Sequence, residues 1–318
     1  MLFPALLILF SLAVPAQFSG DAQAPVSVDQ ANALQSAGKL SEARDAYEQV
    51  LKADPANAAA QNGEVEVSER MALDARAAGQ MDDALKDLLR AQKLAPENPR
   101  LLYDLGILED EMRLYIDADK TLAHLEQIVP DNPKIEYAVA RVKLDLGQLD
   151  AAEAKMQAYL KTNPDDATAH YGLGRIYRLK AELDQARAEF QRSIELRPLQ
   201  TEAYYQLGDV ELQQGEYVAA LANFAKTLER NPQHGGALAG TGITYFKQKQ
   251  YDKAEEALEK AVSAAPDYQP GHYYLGLTLA KLGRKEESER ELALATKLAD
   301  EDNRQGGNRL RLNEPAAQ

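Results

Sequence analysis

Apolar residues recur along most of the chain at spacings of three and four residues, with short polar stretches between the runs. Leu173, Ile176 and Tyr177 form one stripe, the polar residues 179–184 follow, and a second stripe begins at Ala186. Such spacing is typical of helices that bury one face, and the polar stretches are typical of turns. The pattern therefore predicts pairs of helices joined by short turns.

A fixed period divides the chain. Six prolines follow one another at intervals of 34 residues, and a seventh precedes them by 41. Proline has no N–H and cannot continue a helix, so each proline marks the end of a second helix. The prolines are Pro55, Pro96, Pro130, Pro164, Pro198, Pro232 and Pro266. Aligned on them, residues 24–301 form eight helix-turn-helix repeats, and the seven extra residues of the second repeat predict a longer first helix.

Small residues occupy two fixed places in each repeat. Alanine stands twelve residues before every proline, and a glycine or alanine stands twenty-four residues before it. Small side chains let two helices approach closely, although a glycine in a helix costs about 1 kcal/mol. Because one such helix pair cannot bury its apolar face alone, the repeats are expected to stack into an all-α solenoid.

Several residues recur in register with the period. These are a Leu-Gly pair in the first helix, a tyrosine at Tyr177 and Tyr245, and an alanine, a large residue and the proline of the second helix. The Leu-Gly pairs are Leu105-Gly106, Leu173-Gly174, Leu207-Gly208 and Leu275-Gly276, and the large residues are Tyr47, Leu122, Phe190, Phe224 and Leu258.

Together these features resemble the tetratricopeptide repeat over residues 24–301. The resemblance implies a right-handed α-solenoid. It also implies a concave groove, lined by the first helices, that takes an extended peptide or a helix of a partner protein. It does not identify the partner, because unrelated proteins use the same fold.

Charge and composition argue against several classes of function. With a net charge of -14, the protein is a poor match for nucleic acid, whose binding needs a basic face. The chain has no cysteine and only four histidines, none at a metal-binding spacing. No Ser-His-Asp set and no glycine-rich phosphate loop occurs either. We therefore predict no enzyme activity, no cofactor and no metal site.

Both ends of the chain differ from the repeats. Residues 1–16 are apolar and resemble a secretory signal cleaved before Gln17, followed by a linker at 17–23. Cleavage would leave a periplasmic or secreted protein without stable membrane insertion. The alternative is an uncleaved anchor in the inner membrane, although the apolar run is shorter than the roughly 20 residues that span a bilayer. Residues 302–318 are predicted to be a disordered tail.

The predicted groove contains a row of tyrosines and a basic cluster. Tyrosine suits a peptide-binding surface, although inheritance with the repeat explains the row equally well. Ala239 interrupts the row, and the gap is expected to admit an apolar anchor. Three arginines could pair with a partner's carboxylate, unless acids such as Asp145 and Asp209 neutralise them. The predicted groove residues are Tyr103, Tyr137, Arg141, Tyr171, Arg175, Arg178, Tyr205, Asp209, Ile243, Phe246 and Tyr273.

These features predict a scaffold of the bacterial envelope that binds a partner protein and performs no chemistry. The alternative is an accessory subunit of an envelope glycan-synthesis or secretion machine whose catalytic chain is a separate protein. The gene neighbourhood and the identity of a captured partner would separate the two.

Overall fold

A computed structural model describes residues 26–304, with side chains up to Glu301. This part of the chain forms sixteen α-helices and contains no β-strand, which confirms the all-α prediction. The helices are α1 Val28–Ser36, α2 Leu40–Ala53, α3 Ala58–Ala77, α4 Met81–Leu94, α5 Pro99–Glu111, α6 Tyr115–Ile128, α7 Pro133–Asp145, α8 Leu149–Thr162, α9 Ala167–Leu179, α10 Leu183–Leu196, α11 Thr201–Gln214, α12 Tyr217–Arg230, α13 Gly235–Lys247, α14 Tyr251–Ala264, α15 Gln269–Lys281 and α16 Lys285–Arg304.

Three of the predicted segments lie at the ends of the chain. The predicted signal and the predicted linker lie outside the described residues. Helix α16 ends at Arg304, so the first three residues assigned to the tail are helical, and the rest of the tail is outside the described residues. Helix α3 has 20 residues, whereas the other odd-numbered helices have 9 to 14.

The chain divides into two compact units, with the boundary between Ala95 and Pro96. The N-terminal unit contains α1–α4, and the C-terminal unit contains α5–α16. Inside each unit an odd-numbered helix pairs with the even-numbered helix that follows it. The even-numbered helix packs in turn on the next odd-numbered helix of its unit, and neighbouring odd-numbered helices also contact each other. This is the stacking of helix pairs that the period predicts.

A residue in the left-handed region follows every odd-numbered helix. The φ angles of these residues lie between 60° and 82°. Glycine adopts this conformation at no steric cost and commonly ends helices. The eight residues are Gly38, Gly79, Arg113, Gly147, Ala181, Gly215, Lys249 and Gly283. They reverse the chain within a few residues and so bring the two helices of each repeat together.

The large residue of each second helix is the centre of the packing. Tyr47, Leu122, Phe190, Phe224 and Leu258 are all fully buried. The alanines four residues before them are buried as well, so the second helices present small and large side chains alternately to their neighbours. Such interlocking of large and small side chains fills the interior at high density.

Phe224 shows why the first helices contain glycine. Its ring lies between α11 and α13, opposite Gly208 and Gly240. A Cβ atom on Gly208 would lie 2.8 Å from the ring, and one on Gly240 would lie 2.4 Å from it. Both distances are shorter than a normal contact, so any side chain at these positions would clash with the ring. The predicted reason for the recurring glycine, close helix packing, therefore holds at Gly208.

Glu109 of α5 is a carboxylic acid enclosed by the stack. Only 5% of the residue is exposed. Burial raises the pKa of Glu109, and a hydrogen bond with Thr121 opposes that shift in part. Its Oε2 atom accepts no hydrogen bond from the described residues. The native state therefore favours the protonated acid more than the unfolded chain does.

Replacing Glu109 with glutamine should stabilise the protein at neutral pH by about 1 kcal/mol, because an ionised, incompletely bonded acid is removed. A raised native pKa gives stability that is complete below the unfolded pKa of roughly 4.3 and is lost as the pH rises through the native pKa. The gain of Glu109→Gln should therefore disappear as the pH falls towards 4. Urea unfolding at several pH values measures it, and Glu259→Gln at an exposed site should show no such gain. A gain that persists at low pH would contradict the explanation.

Candidate functional site

The odd-numbered helices of the C-terminal unit form one continuous surface, because each contacts the next from α5 to α15. We call the surface of these six helices the odd-helix face. All eleven predicted groove residues belong to these helices. They differ widely in exposure and in the partners they already have.

The tyrosines of the predicted row differ in exposure. Tyr103 and Tyr137 near the start are half-buried, and Tyr205 is half-buried as well. Tyr273 on α15 is 43% exposed, whereas Tyr171 on α9 is only 3% exposed. The row is therefore not a uniform ladder of contacts, and Tyr273 is its most accessible member.

Tyr171 and Arg175 belong to the core, which corrects their prediction as open contact residues. The ring of Tyr171 packs against Phe190, with 5.8 Å between the ring centroids. The Arg175 guanidinium lies 5.7 Å from the centre of the Tyr171 ring, and only 8% of Arg175 is exposed. Stacking on an aromatic face lets an arginine remain buried. These two residues hold α9 against α10 rather than presenting a binding surface.

Acids on neighbouring helices pair with the other two arginines of the basic cluster. Arg178 Nη1 lies 3.3 Å from Asp209 Oδ2, and Gln213 donates to the same oxygen at 2.9 Å. Burial raises the pKa of Asp209, although Arg178 opposes the shift. Arg141 Nη2 lies 3.0 Å from Asp110 Oδ2, whose side chain is 3% exposed. The cluster is thus largely neutralised within the protein, as the alternative interpretation of the sequence anticipated for Asp209.

The gap expected at Ala239 does not exist. Ala239 is fully buried, and Tyr268, from the turn before α15, packs against the cluster that contains it. Tyr268 also forms a hydrogen bond with Tyr205, and burial raises the pKa of both phenols. The prediction of an open anchor pocket at this position was therefore wrong, because a side chain from outside the helix fills it.

Ile243 and Phe246 are half-buried and belong to a larger aromatic cluster that sequence reasoning missed. The Phe246 ring centroid lies 5.7 Å from that of Tyr251 and 5.6 Å from that of Tyr274. Tyr274 in turn contacts the exposed Tyr273 at 5.4 Å. These edge-to-face contacts are favourable for aromatic rings. We call Tyr251, Phe246, Tyr274 and Tyr273 the aromatic row.

The signal for the aromatic row was present in the sequence. Tyr274 occupies the sixth position of its repeat, where four of the five preceding repeats of the C-terminal unit have Asp104, Ala138, Gly172 and Gly240. A large ring at a position of small residues marks a local change in the surface. A comparison of the sixth position across repeats would have found the aromatic row.

The histidines connect parts of the stack. His170 Nδ1 lies 2.6 Å from Glu189, and Nε2 lies 2.9 Å from the carbonyl of Pro164. His272 repeats the arrangement with Glu291 and Pro266, at 2.7 and 3.0 Å. Each therefore links the first helix of its repeat with the second helix and with the preceding turn.

His234 has a different role, since its Nδ1 accepts from the Ala237 N–H at 3.0 Å and caps α13. Between residues 26 and 301, no three His, Asp or Glu side chains form a group that could hold a metal ion. Within 26–304, no helix combines the length and apolar character needed to cross a membrane.

Models of the tetratricopeptide repeat match most of the chain, at residues 28–68, 69–112, 137–201, 180–235, 205–270 and 245–307. Similar solved structures include a tetratricopeptide repeat protein from Parabacteroides merdae. It is 18% identical with a TM-score of 0.53, and the alignment covers 79% of this chain and 97% of that one.

A chain of the APC/C hetero-tetramer Cut9-Hcn1 is 16% identical to this chain. The alignment covers 86% of this chain and 53% of that one, with a TM-score of 0.60. A tetratricopeptide repeat protein from Cytophaga hutchinsonii is 16% identical over 63% of this chain and 80% of that one, with a TM-score of 0.50. At such identities the similarity concerns the fold alone. No curated protein shows a significant match to the chain.

Proposed function

Because the chain belongs to the tetratricopeptide repeat family, we propose that it is a non-enzymatic scaffold that binds a partner protein on the odd-helix face of its C-terminal unit. The observation that supports this face is the exposed ring of Tyr273 together with the aromatic rings that adjoin it. Tyr103, which is half-buried, occupies the same repeat position five repeats earlier. Large amphipathic rings of this kind give a protein interface contact area at low entropic cost.

The even-numbered helices offer a less suitable surface, because their charged side chains bind each other and the odd-numbered helices. Lys143 lies 2.7 Å from Asp119, and Lys180 lies 2.5 Å from Glu153. Lys155 forms ion pairs with Glu126 and Glu136. A partner docking on these groups would have to break existing contacts.

We also propose that the protein acts in the bacterial envelope, in the periplasm or outside the cell. The support is the apolar run at residues 1–16, with its resemblance to a secretory signal. The negative charge of the whole protein would keep an exported scaffold soluble and would favour basic partners away from the odd-helix face.

Affinity capture with the full chain tests both parts of the proposal. We expect captured proteins to come from the envelope fraction of the source organism, and the double variant Tyr103→Ser/Tyr273→Ser to lose them. The matched control is Ile116→Ser/Val218→Ser, since these residues of even-numbered helices are 65% and 81% exposed. The face is wrong if the control loses the partner and the tyrosine variant keeps it. Partners found only in the cytoplasm would contradict export. A catalytic chain among the partners would favour the accessory-subunit alternative.

A further inference from the structure

The last two odd-numbered helices of the described chain, α13 and α15, form a distinct part of the odd-helix face. They carry three residues of the aromatic row, Phe246, Tyr273 and Tyr274, and also Ile243, which belongs to the same apolar cluster as Phe246 and Tyr274. Tyr273, at the end of the row, is 43% exposed. An exposed aromatic residue that adjoins half-buried apolar residues in this way is typical of an interaction surface.

The charge of this part is opposite to that of the whole protein. Residues 235–251 and 269–285 contain no aspartate or glutamate, although the chain has a net charge of -14. Lys247 and Lys281 are exposed at the ends of α13 and α15, and neither has an ion-pair partner among residues 26–301. Lys249, in the turn after α13, is also exposed and has no ion-pair partner within that range.

Lys247 and Lys281 occupy the thirteenth position of their repeats, and the charge at this position changes sign along the stack. It holds Glu111 on α5 and Asp145 on α7, then Leu179 and Gln213, and finally Lys247 and Lys281. A cation near a helix C-terminus is favourable for the helix itself. That explanation is not sufficient here, because α5 and α7 have acids at the same position. The edge of the odd-helix face is therefore acidic at α5 and basic at α13 and α15.

We propose that α13 and α15 bind a partner segment that is acidic and that carries an aromatic or large aliphatic side chain. The apolar side chain packs on Tyr273 and the aromatic row, and the acidic side chains pair with Lys247 and Lys281. Charge complementarity selects this partner over a basic one and orients it, since its acidic part lies away from Glu111 and Asp145. The inference rests on the proposed scaffold function and specifies the chemistry of its partner.

The helix spacing sets the spacing of the acids. Packed helices lie about 8–10 Å apart, and Lys247 and Lys281 occupy equivalent positions on neighbouring odd-numbered helices. An extended chain advances about 3.3 Å per residue. Two acids about three residues apart in an extended segment would therefore reach both lysines.

Selection of displayed, fully randomised dodecapeptides on the full chain tests this chemistry without knowledge of the natural partner. We expect the enriched peptides to contain two acids about three residues apart and a nearby aromatic or large aliphatic residue. The affinity of the best peptide, labelled with fluorescein, is then measured by fluorescence polarisation. Lys247→Glu/Lys281→Glu and, separately, Tyr273→Ala should each weaken binding by about tenfold or more, the effect of losing one charge-assisted or well-packed contact.

The matched control is Lys226→Glu/Lys260→Glu, which changes the net charge equally at exposed sites on α12 and α14. It should change the affinity less than about twofold, since the exposed ion pairs of Lys226 with Glu229 and of Lys260 with Glu256 contribute little. Circular dichroism of each variant confirms that the helices are retained. An equal loss in the control would show that only net charge matters and would overturn the inference.

Other outcomes separate the inference from the function on which it rests. Enriched peptides that are neutral or basic would overturn the inference and leave the scaffold function standing. So would enriched peptides whose affinity is unchanged by the lysine and Tyr273 variants but is lowered by Tyr103→Ser. Enriched peptides that no odd-helix variant affects would contradict both. Failure to enrich any peptide would also count against both.

Discussion

Replacing Phe224 with alanine should lower the free energy of unfolding by about 3–5 kcal/mol, the cost of removing a fully buried aromatic ring. The ring is 0% exposed and lies between α11 and α13. It also contacts the Tyr205 ring, with 6.3 Å between the centroids. The glycines opposite it have no side chains with which to fill the cavity, so little relaxation is expected. Urea unfolding followed by circular dichroism measures the loss.

Val218 provides the control on the same helix, since it is 81% exposed. Val218→Ala should change the stability by no more than about 0.5 kcal/mol. In a stack of repeats each repeat contacts only its neighbours, so loss of the ring should destabilise mainly the adjoining helices. Hydrogen exchange in the Phe224 variant should therefore increase most in α11, α12 and α13. A loss of less than 1 kcal/mol, or a uniform increase in exchange across the C-terminal unit, would contradict this account.

Gly240→Ala should destabilise the protein by about 1–3 kcal/mol, as overpacking of a core does. Alanine favours the helical state by about 1 kcal/mol relative to glycine. The variant is therefore expected to be less stable only because the clash with Phe224 outweighs this gain. The new Cβ would lie 2.4 Å from Phe224 Cζ. The ring is rigid and fully enclosed, which leaves it no direction in which to move. Thermal and urea unfolding of the variant check the sign.

Gly172→Ala is the matched control, because both glycines stand at the sixth position of their repeats. A Cβ on Gly172 would meet the terminal methyl of Met156 at 3.0 Å. That methyl can rotate away, so this variant should be neutral or up to about 1 kcal/mol more stable. Adding Phe224→Leu to Gly240→Ala should restore part of the loss. Equal effects of the two alanine substitutions would show that the ring does not set the cost.

Much of the fold could be predicted from the sequence because the residues that determine it recur. The prolines, the alanines and the residues Phe190, Phe224 and Leu258 recur at a constant spacing, and each repeat supports the assignment of the next. Left-handed residues after the odd-numbered helices were harder to predict, because three of the eight are not glycine. At Arg113, Ala181 and Lys249 the tight turn between packed helices imposes a conformation that the residue type does not favour.

The site was predicted less well, because exposure and pairing depend on residues far away in the sequence. The register correctly placed Tyr171 and Arg178 on first helices, but it contained no information about their neighbours. Asp209 comes from the next repeat, 31 residues after Arg178, and Tyr268 comes from a turn that the groove positions do not include. Each of these contacts closes surface that a single helix would leave open.

The sequence by itself determined the repeat architecture of this protein, since a periodic pattern of apolar, small and helix-ending residues has one economical way of burying its apolar faces. It also determined the excess of acid and the two stretches without acid at 235–251 and 269–285. Only the tertiary structure decided that Tyr171 and Arg175 are enclosed, that Arg178 is paired, and that Tyr273 is the most accessible of the predicted groove residues. The physical reason is that burial and ion pairing are properties of neighbouring helices, and packing assembles those neighbours from different repeats.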